Sequence, residues 1–339
     1  MADDWKRQLD ALHSELVHRD DPAAWVTEAD AVEASRRYPH IAVRGPVFGI
    51  AVQEPAVGAR WRLLKPLVDG MPQQARDGLN SHLWFTAKDG TDDPGVRREL
   101  LAAVAVLEQE PVNEVEALGV RYRVVRGEEF ARSDEEGALE PPRPTDREPA
   151  ERSWEGRERG ISPDEGFVLD PDRDDGMMAG AMKLALRGFV YAGTRFPEEV
   201  CAESRRAVET HPQVALLPVG FGVVERGGKG WRPCGVLRPS PHEARRLLHD
   251  AMTESWPLLY RFDDEKRARY AEAAAAFRAA GRADEARVDD RLFRICRIER
   301  MVRMGPDGPE PARPSDVDDY GPMRMHPAMD EDGTIHYDE

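Results

Sequence analysis

Apolar residues return at helical spacing in two places far apart in the chain: Leu100, Val104 and Leu107 within Val96 to Gln109, and Tyr270, Ala274 and Phe277 within Asp264 to Ala280. Side chains three or four positions apart share one face of a helix, so each stretch predicts an amphipathic helix. Gly281 stands where a helix C-cap belongs. Upstream of each lies another helix signal. Ser240-Pro241-His242-Glu243 reads as a capping box before Leu247, Leu248 and Met252, and its counterpart starts at Pro72. More polar helices are predicted over Thr27 to Tyr38 and Glu198 to Thr210, each stopped ahead of a proline, Pro39 or Pro212.

Between these helices the pattern shortens to the period of a strand. Phe48 to Val52 and Phe221 to Val224 are short β-branched runs, and Gly227 to Gly230 supplies a hairpin turn into Trp231. The first copy uses a longer turn around Pro55 and Gly58. Last strands are predicted over Val120 to Val125 and Leu292 to Ile298, with Tyr122 and Val124 inward and Arg121 and Arg123 outward.

The recurrence is closer than element type. Arg123, Arg126, Glu128 and Arg132 meet Arg294, Arg297, Glu299 and Arg303 at a spacing of 171. Glu140-Pro141-Pro142-Arg143-Pro144-Thr145-Asp146 returns as Glu310-Pro311-Ala312-Arg313-Pro314-Ser315-Asp316, and Trp61-Arg62 as Trp231-Arg232. A fixed period is the mark of repeated architecture. The chain is therefore expected to be α+β, as two tandem copies of an α-β-β-α-α-β module packed with pseudo-twofold symmetry.

The expected organisation is an N-terminal helix within residues 1–26 (Asp3 to Arg19, with Leu9, Leu12 and Leu16 on one face), a first copy over 27–132, an acidic Pro-rich linker over 133–176, a leading helix plus second copy over 177–314, and an acidic tail over 315–339. The linker expectation rests on Pro, Glu, Arg and Ser with few large apolar residues. The tail is expected to lie along the surface.

Composition adds exclusions. Lys and Arg total 48 against 64 Asp and Glu, a formal net charge of −16, which repels nucleic acid and anionic lipid. The start of the chain has no apolar leader pattern and no segment reaches the length needed to span a bilayer, so a cytoplasmic protein is expected. Three scattered cysteines, Cys201, Cys234 and Cys296, indicate neither a disulfide framework nor a zinc site.

Catalytic motifs fail in turn. Gly222 to Gly230 lacks Ser or Thr after Lys229 and leads into a strand, not a helix, so it is no phosphate loop. Asp170, Asp172 and Asp174 imitate a calcium loop, but Gly176 and Ala181 occupy the wrong positions. Gly-x-Ser-x-Gly and His-Glu-x-x-His are absent. His242 and His249 are expected at the surface, and Trp61, Trp84, Trp231 and Trp256 as packing residues. No catalytic residue, cofactor or metal site is expected.

What remains is the doubled Arg-x-x-Arg-x-Glu. Paired guanidinium groups can hold a carboxylate or phosphate, which makes Arg123, Arg126, Glu128, Arg294, Arg297 and Glu299 the candidate ligand-binding residues. The competing reading is that Arg126 and Arg297 form solvated salt bridges with Glu128 and Glu299.

With its Ser-Arg-Arg (Ser35, Ser204), Phe-Gly (Phe48, Phe221), Trp-Arg and Arg-x-x-Arg-x-Glu elements, the chain resembles an uncharacterised actinomycete family of unknown function. The resemblance covers nearly the whole length and implies no catalytic residue, cofactor or substrate. Repetition without catalytic signature points to a non-catalytic interaction or regulatory protein, with another protein or a second copy as partner. The alternative is an enzyme or a binder of a small anion between the copies.

Overall fold

The computed structural model describes residues 22–55, 60–150, 152–155, 162–228 and 230–337. The predicted helix Asp3 to Arg19 lies outside them, as do Gly58 and Lys229. The first half contains α1 (Pro22–Arg37), β1 (His40–Gln53), β2 (Trp61–Asp69), α2 (Pro72–Asp89), α3 (Pro94–Gln109), β3 (Glu114–Ala117) and β4 (Val120–Ser133). After α4 (Met177–Arg187), the second half runs α5 (Glu198–Thr210), β5 (Gln213–Leu216), β6 (Gly220–Gly227), β7 (Gly230–Pro233) and α6 (Pro241–Asp250). A π-helical turn (Ala251–Ser255), α7 (Trp256–Leu259), α8 (Asp264–Ala279), β8 (Glu285–Val288), β9 (Arg291–Gly305) and β10 (Gly308–Pro309) follow. The hairpin β11 (Ala328–Met329) and β12 (Ile335–His336) closes the described chain.

The local signals act as their chemistry requires. The Ser240 hydroxyl accepts from the Glu243 N–H, and Pro241 opens α6. Asp93 caps α3 by accepting from Gly95 and Val96. The π turn lies just before Pro257, whose missing N–H cannot continue an ordinary α-helical ladder.

The chain is α+β, and its main sheet is antiparallel, ordered β2-β1-β4-β9-β6-β7, with β3 on β4 and with β5, β8 and β10 on β9. The halves thus meet edge to edge through β4 and β9, in one sheet. The pairing sets Gly127 opposite Val302, Glu128 opposite Met301, Glu129 opposite Arg300 and Phe130 opposite Glu299. Gly127 is required there, because a Cβ would stand 2.9 Å from the Met301 carbonyl oxygen.

Four expectations change. The last strands are more than twice the predicted length, because the sheet continues past the alternating Arg segment into the partner half. Short strands β3 and β8 precede them as hairpins, the first turning at Leu118 and Gly119, both at positive φ. The run predicted over Phe221 to Val224 lies in the longer β6, and a further strand, β5, precedes it on the other side of Pro218. Arg123 does not face solvent: it is 5% exposed, because the sheet is covered on both faces.

On one face, α2 and α3 enclose Ile50, Leu83, Leu100 and Val115, while α6 and α8 enclose Leu248, Tyr270, Phe293 and Ile295. The other face buries Val47, Trp61, Leu63, Val125 and Val302 beneath Phe167 and Leu169. The tail packs on the first half: Met329 and Ile335 join the α2–α3 core and His326 stacks on Trp84.

Candidate functional site

Strand alternation divides the six candidate residues between the two sheet faces. Arg126, Glu128, Arg297 and Glu299 share one face. On the other, Arg123 lies 4.8 Å over the Trp61 ring and Arg294 lies 5.1 Å over the Trp231 ring. Each of these also binds a neighbouring strand and a carbonyl. Arg123 donates to Glu114 at 2.7 Å and to Pro309 O at 3.1 Å. Arg294 donates to Glu285 at 2.9 Å and to Leu139 O at 2.9 Å.

The supposed linker carries the other half of this arrangement. The Glu140 N–H donates to Arg132 O in β4, and its carbonyl accepts from Arg297 N–H in β9. The Glu310 N–H donates to Arg303 O in β9, and its carbonyl accepts from Arg126 N–H in β4. Each motif therefore leaves one long strand and crosses to the other. The side chains follow: Asp146 lies 3.4 Å from Arg297 Nε, and both Asp316 oxygens lie about 3 Å from Arg126 Nε. Thr145 donates to Asp30 and Ser315 to Glu203, so both motifs are also tied to helices α1 and α5.

Arg126 pairs with Glu128 and Arg297 with Glu299. The expected solvation is overturned, since the Arg126 and Glu128 side chains are 3% and 4% exposed. Burial lowers the proton affinity of Arg126, but the charges of Glu128, Asp316 and Glu310 outweigh it and hold the guanidinium charged. A buried cation so enclosed by carboxylates leaves little capacity for an external anion.

The two clusters are unequal. Glu128 accepts a second hydrogen bond from the Tyr191 hydroxyl at 2.6 Å. Burial first, then the Glu128 carboxylate, pushes the Tyr191 hydroxyl up and keeps it a donor. Beside it, Arg303 donates to the carbonyls of Leu186, Arg187 and Phe189 at the end of α4. In the second cluster, Arg297, Glu299 and Arg132 instead line a cavity of about 280 Å³, together with Arg143, Arg173 and Arg300. Among the described residues the buried Arg132 Nε there has no hydrogen-bond acceptor.

His242 corrects a further expectation: it is 2% exposed, its ring meets Trp154, and Nε2 lies 3.0 Å from Ser153 O. Burial pushes the thiols of Cys296 and Cys234 up, away from nucleophilic use. Among the described residues no group of three or more His, Cys, Asp or Glu is placed to hold a metal, and no helix is long and apolar enough to cross a membrane.

A larger cavity, about 490 Å³, opens on the opposite sheet face where β4 and β9 diverge. Its walls include Val43, Ala131, Val224, Trp231, Leu237 and Ile298. Val68 and Val236 stand exposed at its mouth, Arg195 lies at its border, and Arg44 there is paired with Glu129. Sequence pattern identified Trp231 only as a packing residue. The cavity depends on what does not cover it, which a linear pattern does not encode.

A family model described as Family of unknown function (DUF5954) matches residues 21–319, and the chain belongs to that family. No curated protein and no solved structure matches the chain.

Proposed function

We propose that this member of the family is a non-catalytic interaction module, built from a duplicated α+β unit, whose recognition surface is the apolar cleft beside β7. The observation carrying this reading is the contrast between the buried Arg/Glu pairs, occupied by one another, and an apolar cavity of about 490 Å³ bordered by exposed valines. Convergent apolar walls with a few charges at the mouth are the usual composition of a binding site.

Duplication is supported by the register between the halves: Glu129 faces Arg300, and these positions are separated by the same 171 residues as the repeated motifs. We read the crossing Glu-Pro-x-Arg-Pro motifs as the device that locks the copies together. The six arginines and glutamates singled out in the sequence then serve the lock, not a ligand. A cytoplasmic, actinomycete protein that avoids nucleic acid fits its acidic charge and composition.

A photo-crosslinking residue at Val236 tests the cleft in cells. A discrete adduct at Val236, absent when the same residue stands at Val317 on the tail, supports it. Identical patterns at both positions would sink it.

A second reading, binding of a small anion in the cavity of about 280 Å³, is favoured by Arg132, whose buried Nε finds no acceptor among the described residues. Inorganic phosphate or citrate should then raise the melting temperature, and Arg132→Ala should abolish the rise. No rise in the native protein counts against it.

A further inference from the structure

Edge strand β2 is not bare. The Gly166 N–H donates to Leu63 O at 2.8 Å, Leu63 N–H donates to Phe167 O at 2.8 Å, and Leu169 N–H donates to Trp61 O at 2.9 Å. Residues 166–169 thus add a short antiparallel strand to β2, with Val168 bridged to Arg62. Phe167 and Leu169, two positions apart, point the same way and close the core formed by Trp61, Leu63, Leu67 and Val125. Asp164 anchors the segment by accepting from Leu67 N–H and from Arg300. Asp170 and Asp172 follow it.

The second half has the same wall without the filler. Trp231 stands where Trp61 does in the repeat, Leu237 where Leu67 does, and Val224 where Ala51 does. All three line the large cavity. β7 ends the sheet order, and among the described residues nothing pairs with its outer edge. The Trp231 and Pro233 carbonyls correspond to those of Trp61 and Leu63. Pro233 removes one donor, leaving two of the three backbone hydrogen bonds to be made. Charge agrees at Arg195, which borders the cavity in a chain of net charge −16; Arg44 borders it too but is paired with Glu129, and Arg232 on β7 with Glu225.

Resting on the cleft reading above, we propose that β7 and its cavity receive an extended acidic segment of a partner protein, with apolar side chains at positions i and i+2. The segment adds a strand to β7, as residues 166–169 do to β2. Backbone pairing holds such a segment and alternate side chains select it. Carboxylates following the apolar pair meet Arg195 at the border of the cavity.

A fluorescein-labelled peptide with the sequence of residues 162–172 is the probe, titrated into the full chain by anisotropy. Saturable binding is expected, weakened at least tenfold by Val236→Glu and by replacing both apolar anchors of the peptide with serine. Val236 is exposed, so the variant keeps its fold, which circular dichroism checks. No binding up to millimolar chain overturns the proposal, and so does binding unmoved by Val236→Glu, which would place the peptide on β2. Concentration-dependent dimers lost in Val236→Glu would overturn it in favour of a second copy as occupant. An apolar dye that binds and is lost in Val236→Glu, with no peptide binding, would leave the cleft reading standing and remove strand addition alone.

Discussion

Glu129 in β4 and Arg300 in β9 face each other across the strand pair that joins the halves, yet each forms its ion pair elsewhere. Glu129 pairs with Arg44 at 2.6 Å, and Arg300 pairs with Asp164 at 2.8 Å. These two positions, 171 residues apart, thus carry opposite charges and opposite duties. Glu129 borders the open cleft, whereas Arg300 fastens the segment that fills its counterpart.

Asp164 and Arg300 are almost wholly enclosed. Removing one member of a buried pair leaves a charge without compensation, a loss of about 3–5 kcal/mol. Asp164→Ala should lose that much in urea unfolding. The double variant Asp164→Leu, Arg300→Met should recover part of it, and a double variant no more stable than Asp164→Ala would contradict the account.

The Tyr191 hydroxyl reaches a carboxylate already engaged by Arg126. Hydrogen bonds to charged groups contribute about 1.5–3 kcal/mol. Tyr191→Phe keeps the ring and should destabilise by that amount; a change below about 0.5 kcal/mol would mean that water replaces the hydroxyl without loss.

The crossing motifs are unequal in a measurable way. Asp146 and Asp316 each accept a backbone N–H at 2.7 Å, from Arg143 and Arg313, but Asp316 holds Arg126 Nε with both oxygens at about 3 Å, whereas Asp146 meets Arg297 Nε with one oxygen at 3.4 Å. Asp316→Asn should therefore cost about 1–3 kcal/mol and Asp146→Asn less, by chemical denaturation of both variants side by side.

Burial first, then the neighbouring charge of Asp77, pushes the Asp69 carboxyl from 3.8 up to about 6. A raised carboxyl pKa means that the folded state binds the proton more tightly than the unfolded one. Its stabilising contribution is present below about pH 4 and lost as pH rises through about 6. Asp69→Asn should be more stable than the native chain at pH 8, by on the order of 1 kcal/mol after allowance for solvent screening, and the gap should close at pH 4. A constant difference across that range would exclude Asp69 as its source.

Much of this protein was legible in local chemistry. The capping box at Ser240, the helical spacing around Leu100 and Phe277, and the alternation in the Arg-rich strands depend on neighbours within a few residues, so sequence alone determines the elements they form. The repeated Glu-Pro-x-Arg-Pro segment was visible too, but its apolar poverty resembled a linker. Only tertiary structure decided that Glu140 and Glu310 cross between β4 and β9, since their far-strand partners, Arg297 and Arg126, lie more than a hundred residues away for the first and nearly two hundred for the second. The same holds for the burial of Arg126 and His242, charged or polar residues whose enclosure depends on distant carboxylates and carbonyls. Hydrophobic pattern tells which side chains seek cover. Which cleft is covered, by Phe167 and Leu169, and which stays open beside Trp231, follows from where the intervening chain is led and tied, and that is a property of the folded molecule.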